Sequence, residues 1–111
     1  MKLRVNKNRV EWEDGHLQFN LPVLDAIQVG ARILVIHDYM SYPGGKAAGN
    51  LVAYSTNGEQ LWVAENLNEC AGTDAYVKFM SEEPLVVWNF ACCRCAIDLN
   101  TGKLIDSQFL K

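Results

Sequence analysis

The chain has 111 residues, enough for one domain (1–111) with its own core. Half of them are hydrophobic and 21% are charged, which sets aside disorder, and a net charge of −3 without a basic stripe disfavours nucleic-acid binding through phosphates. The opening MKLRVNKNRVEWEDG holds no apolar run of signal-peptide length, and no stretch approaches the roughly 18 apolar residues of a membrane span.

In chain order, short extended runs dominate. After a first run at 3–6, Val10 and Trp12 alternate with Arg9, Glu11 and Glu13 across 9–13, and Leu17 and Phe19 repeat the alternation across 16–20. Glu13-Asp14-Gly15 between them reads as a hairpin turn with Gly15 free to take positive φ. Further runs follow at 26–29, 32–37, 51–55, 60–64, 75–80, 85–90, 94–99 and 104–109, rich in Val, Ile, Tyr, Phe and Trp. Asn57-Gly58, Ser81-Glu82-Glu83-Pro84 and Asn100-Thr101-Gly102 supply turns between them. Helical periodicity is not sustained anywhere. The segment 61–71 leaves at most a turn of helix near 65–70, and a short helix at 20–27 runs against Pro22, which favours an extended approach. Trp12, Trp62 and Trp88 each sit in a strand, where one or two would anchor the core.

Two segments, 25–64 and 74–109, repeat one pattern. Asp25-Ala26 matches Asp74-Ala75, Ile33 to His37 matches Leu85 to Asn89, Ala53-Tyr54-Ser55 matches Ala96-Ile97-Asp98, and Leu61 matches Leu104. In the second copy, Ile97-Asp98, Thr101-Gly102-Lys103 and Leu104-Ile105 resemble the blade repeat of quinoprotein-type (PQQ-like) β-propellers, with Ser55 standing for the Asp in the first copy. The resemblance implies antiparallel meanders. Two blades cannot close a ring that needs about four. The expected fold is therefore all-β and antiparallel: two related modules of three to four strands plus an N-terminal hairpin, in a compact sandwich or barrel-like arrangement. A homodimer is a second way to cover open strand edges.

Cys92, Cys93 and Cys95 cluster as C-C-x-C, with Cys70 remote. Zinc wants four ligands, typically from two knuckles or added histidines, so this spacing argues against a metal and for reduced thiols that pack as small hydrophobes. Arg94 leaves a reactive thiol as the alternative. Reduced cysteines and the lack of a leader point to a cytoplasmic setting. The connection 38–50, DYMSYPGGKAAGN, exceeds a hairpin link, and its GGKAAG lacks the spacing of a phosphate-binding loop. Tyr39, Met40, Tyr42 and Lys46 of this loop, with His37 beside it, are the candidate binding residues for a protein or small ligand. His37 and Asp38 would make a poor catalytic pair, since neighbours on a strand face opposite ways. The leading reading is a small, soluble binding or protein-interaction module without catalytic machinery or cofactor. The alternative is a ligand-binding or hydrolytic protein with a pocket near His37, Asp38 and Tyr39.

Overall fold

The computed structural model describes residues 1–43, 47–68 and 74–110. Eleven strands form three antiparallel sheets. The first holds β1 (Arg4–Asn6), β2 (Arg9–Trp12) and β3 (Gly15–Gln18). The second is the meander β4 (Val23–Val29), β5 (Arg32–His37), β6 (Leu51–Ser55) and β7 (Gln60–Val63). The third is the meander β8 (Tyr76–Glu82), β9 (Leu85–Asn89), β10 (Cys93–Ile97) and β11 (Leu104–Phe109). No barrel closes. The expected N-terminal hairpin is present as β2 and β3, and β1 adds a third strand through Val5 opposite Val10. The 20–27 segment is not helical, because β4 starts at Val23, directly after Pro22.

The sheets stack in three layers with the second in the middle. Ile33 and Val35 of β5 pack with Leu3, Val10, Val23 and Ala26 toward the first sheet. Leu34 and Ile36 pack with Leu51, Trp62, Tyr76, Val87 and Cys95 toward the third. This explains why RILVIH reads as an unbroken apolar run rather than an alternation: β5 is buried on both faces. By contrast β11, on an outer edge, is exposed along most of its length. Asp25 ties the layers near one edge. Its Oδ2 accepts the Phe79 N–H of β8 at 3.0 Å, and its Oδ1 lies 3.2 Å from Lys2 Nζ.

Turns are closed by side chains together with positive-φ glycines, Gly30, Gly58 and Gly102. Asp98 Oδ1 accepts the N–H groups of Asn100 and Thr101, and Ser55 Oγ does the same for Asn57 and Glu59. Ser55 thus closes its turn with its side chain as Asp98 does. Gly15 does not take positive φ. It is there because a Cβ would come within 3.0 Å of the Trp12 ring.

Short turns (13–14, 30–31, 56–59 and 83–84) occupy one end of the stack, with the 98–103 turn of the third sheet. The described parts of the connections, 19–22, 38–43, 47–50, 64–68 and 74–75, gather at the other with the turns 7–8 and 90–92. A buried polar hub holds that second end. Asn50 Nδ2 donates to the carbonyls of His37 (2.8 Å) and Tyr76 (2.7 Å), and Asn50 Oδ1 accepts the Tyr76 N–H at 3.0 Å. The Asp74 carboxylate accepts from Asn66 Nδ2, Asn89 Nδ2 and the Asn68 N–H. Asn50, Asp74 and Asn89 are all fully buried, so these bonds replace water.

Candidate functional site

The loop after β5 starts with a cap. Asp38 is extended, its carboxylate accepts the Met40 N–H at 2.9 Å, and a single 3-10 turn follows at Tyr39–Ser41. Asp38 is therefore committed to its own loop and does not orient His37. The turn lifts Met40 into solvent at 77% exposure and lays the Tyr39 ring against Phe90, centroids 5.4 Å apart. Phe90, itself 50% exposed, comes from the β9–β10 turn. Tyr39, Met40 and Phe90 thus form an apolar patch drawn from two sheets. Lys46 lies outside the described residues.

His37 turns away from that patch. Its Nε2 lies 2.9 Å from the Tyr54 hydroxyl, and its ring meets Phe19 edge-on at 5.0 Å. Phe19 in turn leans on Tyr54 at 4.7 Å. A concavity of about 280 Å³ opens here, lined by Gln18, Phe19, Asn20, Leu21, His37 and Tyr54. The pocket near His37 therefore involves neither Asp38 nor Tyr39. Tyr42 sits close enough to Tyr54 to reinforce the effect of burial, and together these push the Tyr54 hydroxyl up to about 12. Burial also raises Tyr42.

Burial lowers the His37 pKa, and the carbonyls of Pro22 and Leu21 only partly offset this. Neither carbonyl meets Nδ1 with hydrogen-bond geometry, so that nitrogen is buried without a partner. The folded chain holds this proton less well than the unfolded chain, whose histidine titrates at 6.5. The stabilisation is full above that value and drains as pH falls through it toward the lower folded value. Thermal melts of the wild type should lose Tm between about pH 7.5 and 5 more steeply than melts of His37→Gln. Matching slopes would contradict the buried neutral imidazole.

The thiols separate. Cys95 is fully buried against Tyr76, and burial, with the nearby Cys93, pushes it up to about 11. Cys93 is half-buried, its Sγ 3.6 Å from the Ala91 carbonyl. Cys92 corrects the core reading: it is exposed, in the β9–β10 turn, with φ of 62°. An L-residue there costs about 1–2 kcal/mol that glycine does not. Cys92→Gly should raise unfolding free energy by about 0.5–1 kcal/mol, read by urea denaturation, after allowing for the freer unfolded chain. Cys70 lies outside the described residues. Among those described, no three His, Cys, Asp or Glu side chains converge.

Another concavity, about 410 Å³, lies between β4 and β8 beside Lys2, Phe79 and Glu82. Two of its lining charges are engaged, Lys2 with Asp25 and Glu82 with the Met1 ammonium. Sequence reasoning missed Phe90, Phe19 and Tyr54 as site residues, because all three carry an ordinary strand signal. Among the described residues, no helix is long and apolar enough to cross a membrane.

One family model, described as a domain of unknown function (DUF7957), matches residues 1–109. No curated protein and no solved structure matches the chain.

Proposed function

We propose that the chain, which belongs to the DUF7957 family, is a non-catalytic binding module that meets a protein partner with the end of the stack where its long connections gather. The observation that carries this reading is the convergence of Tyr39 and Met40 from one connection with Phe90 from another. Aromatic and Met side chains give large, adaptable contact area at low entropic cost. The rigid stack beneath them, whose meanders support a propeller-blade-like origin, holds the connections in place. Absence of catalysis is supported by chemistry already committed elsewhere. Asp38 caps its loop, His37 bonds Tyr54, and the Cys95 thiol stays protonated.

The test is partner recovery by affinity capture. A Met40→Asp/Phe90→Asp chain should lose a partner that wild type retains, while Ile105→Ser/Phe109→Ser, which removes exposed apolar groups on edge strand β11, should keep it. Equal recovery by all three chains would remove the patch as the site. Both pairs are exposed, so neither change should disturb folding.

A further inference from the structure

The concavity at His37 is separate from the Tyr39–Phe90 patch and has its own recognition chemistry. Its wall is aromatic, with Phe19 and Tyr54 tilted 43° to each other. Leu21 adds an apolar side, and among the described residues no Lys, Arg, Asp or Glu lines it. Gln18 and Asn20 are exposed at its rim, and among the described residues their side-chain amides make no hydrogen bond. Each amide offers donors and an acceptor in one plane. Beneath them His37 is 3% exposed, bonded to Tyr54 through Nε2 and unpartnered at Nδ1. A buried polar atom left unpaired calls for an explanation, and a bound molecule is one such explanation.

We propose that this concavity binds a single neutral ring that carries hydrogen-bond donors and acceptors along one edge.

The volume of about 280 Å³ suits one ring system rather than a larger ligand. Charge is disfavoured because an ion placed here would lose water and find no counter-charge among the described residues. His37, whose burial lowers its pKa, supplies none at neutral pH, and Tyr54 keeps its proton. The aromatic wall takes the face of the ring, and the two amides with the Tyr54 oxygen read its edge. A nucleobase and a pyranose share this chemistry.

The experiment is a titration of the 15N-labelled chain followed by amide chemical shifts, at about pH 7.5, where His37 is neutral. Benzamide, benzoate and benzamidine have the same ring and differ in charge. Benzamide should give saturable shifts at Phe19, Asn20, Leu21 and Tyr54 with a Kd of about millimolar, as its few heavy atoms permit. Benzoate and benzamidine should each bind at least about fivefold more weakly. Uridine and methyl glucoside separate the two sources, and saturable binding by either supports the assignment. A Gln18→Ala/Asn20→Ala chain, altered only at exposed residues, should weaken benzamide by about fivefold or more. Three results would overturn the proposal: no saturable shift from any probe, benzoate or benzamidine equal to benzamide, or unchanged affinity in the double variant.

Discussion

Replacing Asn50 by Leu is expected to lower the unfolding free energy by about 4 kcal/mol, read by urea denaturation. Leucine has the same number of side-chain heavy atoms and is the bulkier of the two, so a cavity is not the cause. Asn50 joins β5 to β8: it bonds the carbonyls of His37 and Tyr76 and accepts the Tyr76 N–H, all where water cannot reach. Leucine leaves two carbonyls and one N–H stranded, at about 1–3 kcal/mol for each group left unsatisfied, the carbonyls at the lower end. Against a typical domain stability of about 5–15 kcal/mol this is a large share. Asn50→Asp should be no better than Leu, because a carboxylate would face the same two carbonyls without a proton to donate. A loss under about 1 kcal/mol in Asn50→Leu would mean the hub is not holding the layers together.

Gly102→Ala should cost about 3–4 kcal/mol from two sources. The residue sits at φ +77°, and a Cβ there would lie 2.5 Å from Trp62 Cε3 and 2.7 Å from Cδ2. The ring cannot slide away freely, because Trp62 Nε1 donates to the Leu99 carbonyl at 3.0 Å and the indole is 8% exposed. Gly30→Ala separates the sources. Gly30 has φ +61° with nothing within 4 Å of the added carbon, so only the backbone cost of about 1 kcal/mol remains. Equal losses in the two variants would show that the Trp62 contact relaxes without cost.

The layered β architecture was legible because its causes are local. Alternation placed β2 and β3, and a run of β-branched and aliphatic residues placed β5, though not its burial on both faces. The Asp98 and Ser55 turns carried their closing side chains in the sequence itself. The site was only half legible. A long connection flagged Tyr39 and Met40, and His37 beside it, but their partners Phe90, Tyr54 and Phe19 come from other sheets or strands. Nothing in a strand-like Phe or Tyr says which side chain it will meet. Cys92 went the same way. Its three-residue turn is closed by Asn89, whose Oδ1 accepts the Ala91 N–H, while the sequence there carries no Gly, Pro or Asp to mark a turn. The Asn50–Asp74–Asn89 hub was invisible because it joins segments far apart in the chain, each polar residue looking like a strand end.

On the proposed reading, recognition on this scaffold follows from where the chain puts its long connections. Short turns leave one end with little surface to vary, and the other end carries an apolar patch and a neutral pocket side by side. The most direct measurement is site-specific photo-crosslinking, with benzoylphenylalanine placed singly at positions 40 and 90 on the connection end and at 31 and 57 on the turn end, all exposed. The account predicts that one partner band is captured from 40 and 90 and not from 31 or 57. Capture of that same band from 31 or 57, with none from 40 or 90, would contradict it.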